Sequence, residues 1–432
     1  MRFLAAWHFT ACAILIISMS VVLGIIVGLL ILMFLVTGHE FGHFIAARRN
    51  GVEVEEFGIC FPPRAIAWRK VKGKWRRLKR SEWDNPPGEG LIFSLNWLPI
   101  GGFCQMKGES DADKRKGSFG ASSFWAKTKI LFAGVTMNWL MAFVILTVLA
   151  LFGMPHFLEN QFEMEGDTER VVTMPVTIGE VKSDSPAERA HLKEGDIIRQ
   201  MRSLGCEDDS CEAKENELVF VNVTDDLFDF DAKYAGQTVY MTYERDGKAN
   251  MVEIELNPAD AEYILGAGIS GSAVYRSTWS APIVGLVTTA QITGETFKGV
   301  GQLIWNLLSG VVQQLNFFDQ SARENGAEAV KAAGDSVSGP VGIIGVLFPN
   351  MMQTGFGNLM FLAALISISL ACMNVLPIPA LDGGRWLLIL IYKLRKKKLT
   401  KEVEEKIVGR AFMVLLIIVA VVTVIDVIRI IQ

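Results

Sequence analysis

Histidine and cysteine are scarce in this sequence, and charge is missing from its longest apolar run. With only five histidines in 432 residues, a place where two of them meet carries weight. The six cysteines form no zinc-knuckle spacing. Cys12 and Cys372 lie in apolar runs, and Cys60 and Cys104 in or near a basic loop. Only Cys206 and Cys211 fall where an oxidising compartment would allow a short disulfide. Residues 11–38 hold no charged residue at all. That stretch is too long for the h-region of a signal peptide, and no small-residue cleavage site follows, so it reads as a membrane span.

Charge elsewhere is segregated. Residues 47–129 carry 17 Lys/Arg against 9 Asp/Glu, and residues 391–410 carry 8 against 3. Residues 155–278 carry 11 against 26. Lys/Arg-rich loops stay cytoplasmic, which places the two basic segments inside and the acidic one outside. An acidic segment of this size argues against a nucleic-acid partner, which needs a basic surface.

The expected fold class is an α-helical polytopic membrane protein of about four transmembrane helices, with a membrane re-entrant β-hairpin and an inserted α/β domain. Residues 1–50 form the first helix. Residues 51–126 form a cytosolic-side loop, in which "VEVEEFGICF", "RAIAWRKV" and "LIFSLNWLPIGGFCQMKG" read as short strands. Their apolar content suits a hairpin dipping into the bilayer, tolerable only if it is covered by protein or lines a wet cavity. Residues 127–154 hold the second helix, and 172–258 the soluble domain, with a hairpin turn at Asp246-Gly247. Residues 280–316 suit an amphipathic helix on the membrane surface. The third helix lies within 336–390, its apolar run being 359–381. The fourth lies within 407–430, with an uncharged core over 411–425.

At the end of the uncharged run comes "HEFGH". On a helix, His39 and His43 share one face, so two imidazoles can bind one zinc ion while Glu40 acts as base on water. The bland alternative is a pair of helix histidines bonded to neighbours. It loses ground because ionisable groups at membrane depth are expensive and usually functional. A catalytic zinc takes three protein ligands. His8, His156 and His191 fall at or beyond the opposite membrane face, whereas Asp382, in "NVLPIPALDGGRW", falls at the same cytosolic depth. A turn Asp before Gly-Gly is common. Here, however, Pro377 and Pro379 break an apolar helix and expose carbonyls, which lipid does not tolerate without a polar cavity nearby. Asp382 is therefore the favoured third ligand.

Taken in order, "HEFGH", "LPIGGFCQMKGE", "AGVTMN", "SGPVGI" and "NVLPIPALDGG" resemble the site-2 protease family of intramembrane metalloproteases along nearly the whole chain. Within that family the sequence looks most like the bacterial regulator of sigma-E protease branch. The resemblance implies zinc (Zn2+) held by His39, His43 and Asp382, with Glu40 as general base. It implies that Asn374 lies close to the scissile peptide, with Asn138 in a supporting part. It also implies a substrate strand added to the hairpin, near Pro99, Gly101 and Gly102, with Pro377 and Pro379 on the substrate side of the broken helix. Two departures stand out. Residues 155–280 have room for one PDZ domain where the best-studied members carry two, and Val135 stands where a proline is usual.

"DSPAERAHLKEGDIIRQM", residues 184–201, independently resembles a PDZ signature: a helix begun by Ser185-Pro186, then a turn at Gly195-Asp196 into a strand. Such a domain takes a peptide or C-terminus by strand addition. The expected function is zinc-dependent cleavage of single-pass transmembrane proteins, such as an anti-sigma factor or signal-peptide remnants. The expected location is a bacterial inner membrane, with the site near the cytosol. The rivals are a non-catalytic PDZ adaptor with a structural zinc, and a membrane-anchored zincin acting on soluble peptides.

Overall fold

The structure is a computed structural model and describes residues 2–88, 90–158, 160–203, 217–314, 320–335 and 339–431. Cys206 and Cys211 lie outside the described residues. In chain order the elements are α1 (Arg2–Arg49), β1 (Val54–Val71), β2 (Lys74–Arg77), β3 (Ile92–Met106), α2 (Phe124–Phe152), β4 (Met154–Pro155), β5 (Glu169–Val181) and α3 (Pro186–Arg189). There follow β6 (Ile197–Ser203), β7 (Leu218–Phe220), α4 (Thr224–Lys233), β8 (Thr238–Arg245), β9 (Lys248–Glu255) and β10 (Ala267–Arg276). The remainder is helical: α5 (Ala281–Gln314), α6 (Gln320–Asp335), α7 (Pro340–Gly342), α8 (Phe348–Gln353), α9 (Phe356–Val375), α10 (Asp382–Leu394) and α11 (Lys401–Ile431). Two compact units result, Met1–Leu149 with Pro282–Gln432, and Ala150–Ala281.

Four helices among the described residues are long and apolar enough to cross a membrane: Val21–Arg49, Phe124–Phe152, Phe356–Val375 and Lys401–Arg429. The chain is thus a polytopic helical membrane protein with an inserted β-sheet region. Helix α1 ends where Arg48 and Arg49 complement the helix dipole and Gly51, at φ +76°, closes the turn. Along α1, glycines recur four apart, which lets other backbones approach closely. Gly24 and Gly28 receive Pro349 and Phe348 of α8, and Gly38 and Gly42 receive Met141 and Ala133 of α2.

The β-region on the membrane unit is built from two long bent strands rather than the short ones the sequence suggests. The first part of β1, Val54–Ile59, faces Gly102–Met106 and also Ile92–Leu95 of β3, while Arg64–Arg69 faces Ile92–Asn96. β2 adds to the end of β1. At the bend, Phe61 pairs with Leu98, and Phe61, Trp97, Leu98 and Ile100 are exposed. The opposite end of the sheet is packed. Phe44, Phe57, Met106, Phe119, Ile130 and Leu388 join one core from α1, the sheet, α2 and α10, and each fully buried large side chain there contributes about 1.5–3 kcal/mol.

The unit Ala150–Ala281 is wider than the 172–258 expected, because β10 pairs along the length of β5 and closes the sheet. The strand order is β4-β10-β5-β6-β8-β9, with β7 on β6. Its core includes Val176, Ile178, Ile198, Met201, Leu227 and Met241. Ser185 caps α3 by accepting from the Glu188 N–H. Asp246 and Gly247, both at positive φ, make the β8–β9 turn. Asp196 is buried and accepts a two-pronged bond from Arg245 at 2.6 Å. Its carboxyl sits below the usual range, because this pairing outweighs the opposing effect of burial.

The apolar run 359–381 is broken at its prolines, as their positions predict: α9 closes at Val375, and α10 begins only at Asp382. One helix bound differs from expectation. The fourth helix starts at Lys401, ahead of its apolar core, with Glu402 and Glu404 in its first turn, where the dipole favours acids.

Candidate metal centre

Helix α1 brings His39 and His43 one turn apart at its buried face. Asp382 reaches them from the far end of the chain because α9 stops short. After Val375 the chain turns through Pro377 and Pro379, closed by the bonds Ile378 N–H to Leu376 O and Leu381 N–H to Ile378 O, both 2.8 Å. The following Gly383 and Gly384 lie so close to the carbonyls of Val375 and Ile378 that any Cβ would collide. Asp-Gly-Gly is therefore the sequence that lets α10 start against this loop with Asp382 facing α1.

The three side chains form a compact triangle. Asp382 Oδ2 is 3.2 Å from His39 Nε2 and 3.3 Å from His43 Nε2. The two Nε2 atoms are 3.1 Å apart. A tetrahedral zinc about 2.0–2.1 Å from each ligand separates its ligand atoms by about 3.3 Å. The buried triangle therefore has the size and donor set of a catalytic zinc site. Among the described residues, these three are the His/Cys/Asp/Glu group able to hold a metal ion. Two other histidines are elsewhere: His156 faces Asp225 at 3.5 Å, and His191 occupies a left-handed turn position.

Outer contacts orient the imidazoles. His43 Nδ1 donates to the Ile130 carbonyl at 2.8 Å, which leaves its Nε2 lone pair toward the triangle. His39 Nδ1 lies 3.2 Å from the Asn138 amide, whose Oδ1 is buried without a partner. A metal on His39 Nε2 puts the proton on Nδ1, and Asn138 with its amide turned over supplies the matching acceptor. Ser367 of α9 donates to the Asn138 carbonyl at 2.8 Å and ties that turn of α2 in place. Gly134, one turn earlier, lies against both rings: a Cβ there would meet His39 Nε2 and His43 Nε2 at 2.6 Å.

Glu40 follows His39 directly on α1 and is partly buried. Gly101 and Gly102 let β3 cross α1 next to Val36 and Thr37, one turn before His39. Pro99 lies in the same bend of β3. Asn374 is partly buried and donates to Leu370 O of its own helix at 3.0 Å, and its described hydrogen bonds do not reach the three ligands. Pro377 is exposed and Pro379 partly so. A cavity of about 980 Å³ adjoins Asp382 and is lined by Gln105, Glu109, Pro379, Arg385 and Glu404 among others. Charged and polar side chains make up most of its lining beside the broken helix. Beside it, Glu404 accepts from Ser110 Oγ and the Asp111 N–H, both at 2.9 Å, and pairs with Arg385.

Ile130, Gly134 and Ser367 were not singled out as functional from sequence. The one available signal was the glycine spacing, since Gly38 just before the histidine motif and Gly42 within it lie four apart in a pattern that marks close helix packing.

Comparison with known proteins agrees with this geometry. The profile of peptidase family M50 matches residues 27–78 and 85–419. The chain is similar to the zinc metalloprotease RasP of Shouchella clausii, 30% identical over 70% of this chain and 60% of that protein. The RasP protein of Oceanobacillus iheyensis is 24% identical over 90% of this chain and 96% of its own length. The chloroplastic membrane metalloprotease ARASP of Arabidopsis thaliana is 26% identical over 89% of this chain and 74% of its own. The family match runs through both distant contributors to the ligand triangle, and the chain belongs to peptidase family M50, the site-2 protease family of zinc metalloproteases.

Proposed function

We infer that the chain is an intramembrane zinc metalloprotease of the regulator of sigma-E branch, cutting a peptide bond inside the transmembrane segment of single-pass proteins. Anti-sigma factors and signal-peptide remnants are the substrate classes that fit. The observation that carries this reading is the triangle of His39, His43 and Asp382 at the ends of apolar helices, with the Glu40 carboxylate left over. A structural zinc is closed by four protein ligands. Three are present among the described residues, which favours catalysis over the adaptor reading.

When bound at the triangle, zinc supplies Lewis-acid polarisation of a carbonyl and acidifies water. His39 and His43 offer Nε2 lone pairs because their Nδ1 atoms are engaged by Asn138 and Ile130. Glu40 accepts a proton from the attacking water as the water oxygen bonds to the scissile carbonyl carbon. It then passes that proton to the amide nitrogen as the C–N bond breaks, releasing an amine and a carboxyl terminus. Asn374 holds the unwound substrate near the scissile bond. The Pro99, Gly101 and Gly102 bend presents a strand for it to pair with, and Asn138, Pro377 and Pro379 shape the adjoining space.

The site faces the cytosolic side of a bacterial inner membrane, where Arg48, Arg49 and the basic segment after them belong. The acidic unit lies outside as one PDZ domain. The capped helix α3, the Gly195-Asp196 turn into β6 and the position of α4 near β10 support that reading. Along β10, the edge away from β5 pairs with β4 only at Val274 and Tyr275, so Ala267–Ala273 can take a peptide strand or C-terminus.

The test is Glu40→Gln in purified, reconstituted protein with a single-pass substrate. Loss of general-base catalysis lowers turnover by about 10²–10⁴-fold while zinc content stays at wild-type level. Wild-type turnover in that variant would refute the assignment. Glu40→Cys, with the native cysteines replaced, is protected from soluble alkylating reagents if the site is buried and modified rapidly if it opens to solvent like a zincin on soluble peptides.

A further inference from the structure

Between Phe57 and Ser81 there is no acidic residue and there are nine Lys/Arg, interleaved with Trp68 and Trp75. The fold sorts these cations. Arg64 is bound to Glu56 and the Trp83 carbonyl, Arg69 to the Pro86 and Gly90 carbonyls, and Arg76 to Glu82. Arg77, Lys79 and Arg80 form no salt bridge among the described residues, although Glu82, paired with Arg76, also accepts from the Lys79 backbone N–H at 2.7 Å; Arg80 lies over the Trp83 ring at 5.8 Å. These three, with Arg64, Trp83 and Trp97, line a cavity of about 450 Å³. Trp83 Nε1 is buried next to it with no acceptor.

The register fixes where this cavity lies. Phe61 faces Leu98 at the apolar bend, and Arg64 faces Asn96, two residues or about 7 Å down the strand. Exposed Trp97, Leu98 and Ile100 suit hydrocarbon, and the interfacial zone next to it is about 5–8 Å thick. Arg77 itself faces Trp68, which faces Phe93, five residues or about 17 Å from Leu98 along β3. The cavity runs from there to Trp97 at the apolar tip, so the cations open toward the headgroup side of that tip, with tryptophan at the boundary as membrane interfaces favour. A basic, tryptophan-bearing hairpin on its own would also suit RNA, but RNA gives no reason for the bare apolar tip.

We propose that the cavity formed by Arg77, Lys79, Arg80, Trp83 and Trp97 binds the headgroup phosphate of an acidic phospholipid and so sets the depth of the hairpin beside the metal centre. The phosphate oxygens accept from the three cations and from Trp83 Nε1. The proposal rests on the reading that the hairpin tip is immersed in lipid.

The experiment is native mass spectrometry of the full-length protein in detergent, titrated with phosphatidylglycerol or with phosphatidylcholine of the same acyl chains. Inorganic phosphate and single-stranded RNA serve as separate arms. Phosphatidylglycerol should bind at least fivefold more tightly than phosphatidylcholine. Each neutralised cation should weaken it about fivefold, as expected from roughly 1 kcal/mol per Lys/Arg near an anionic surface. The R77Q/K79Q/R80Q variant thus loses about 100-fold, while the charge-conserving R77K/K79R/R80K variant stays within about fivefold of wild type. Equal affinity for the two lipids, an unchanged triple variant, or RNA or inorganic phosphate binding in place of the lipid would overturn the proposal. Alkylation of Leu98→Cys in vesicles tests immersion separately. Free labelling with headgroup selectivity intact removes the immersion reading and overturns the depth-setting role, whereas protection with no headgroup selectivity overturns the lipid site alone.

Discussion

Gly134 of α2 lies directly against the ring of His39, with room for a hydrogen but not for a methyl group. The zinc ligands on α1 are thus positioned by what α2 lacks as much as by what it offers. Gly42 does the converse, admitting the backbone of α2 at Ala133.

Gly134→Ala should therefore displace one or both imidazoles without unfolding the chain. The expected outcome is zinc affinity lower by about 10–100-fold, the range seen when ligand-orienting contacts are lost. Competition with a chromophoric chelator measures it, and an unchanged affinity would show that α2 can move away freely.

Asp426 is a further carboxylate with a defined task, on the candidate membrane span Lys401–Arg429. It is buried near the end of α11 and accepts from the N–H groups of Gly339 and Gly342, at 3.2 and 2.8 Å. Most side chains between Phe412 and Val424 on the same helix are exposed. The carboxylate anchors one end of α11 and Glu404 the other, where Val403 and Ile407 also pack on the core. Asp426→Ala leaves two donors unpaired at membrane depth, at about 1–3 kcal/mol each. A lower unfolding midpoint in detergent is expected, with Asp426→Asn intermediate because one oxygen acceptor remains. A midpoint equal to wild type in Asp426→Ala would remove Asp426 from this role.

Asp231 on α4 offers a prediction in pH. It is 5% exposed, its Oδ1 has no partner, and burial raises its pKa to about 7 from an ordinary 3.8. As pH rises, the unfolded chain loses this proton near pH 4 and the folded chain only near pH 7. The folded state holds more protons in between, so stability falls across that window and levels off above it. The loss is on the order of 4 kcal/mol, since each tenfold difference in proton affinity between the two states is worth about 1.4 kcal/mol. Hydrogen exchange over residues 224–234 in the full-length protein, corrected for intrinsic rates, should show that slope in wild type and a flat profile in Asp231→Asn. A slope of the same size in the variant would assign it to another group.

The metal ligands were legible in the sequence because two simple rules fix them. Helical period places His39 and His43 on one face, and the balance of basic loops puts Asp382 at their depth. The break after α9 was legible from Pro377 and Pro379, but the close approach of Gly383 and Gly384 to the carbonyls of Val375 and Ile378, which starts α10 at Asp382, was not. The contacts of Ile130, Gly134 and Ser367 depend on which face of α2 meets α1. Composition along a uniformly apolar helix carries little of that information, and a buried carboxylate such as Asp426 shows its purpose only once its two backbone partners are in place. In the sheet, the alternating segments on either side of Pro62-Pro63 read as separate strands, although β1 passes through the bend and pairs with β3 on both sides of it.

X-ray absorption at the zinc edge, with metal stoichiometry, of wild type and Asp382→Ala tests the centre most directly. The structure predicts one zinc per chain bound by two imidazoles and one carboxylate, with the remaining coordination from solvent. It predicts that Asp382→Ala loses the carboxylate scatterer and most of the metal. Stoichiometric zinc with an unaltered spectrum in Asp382→Ala would contradict the account.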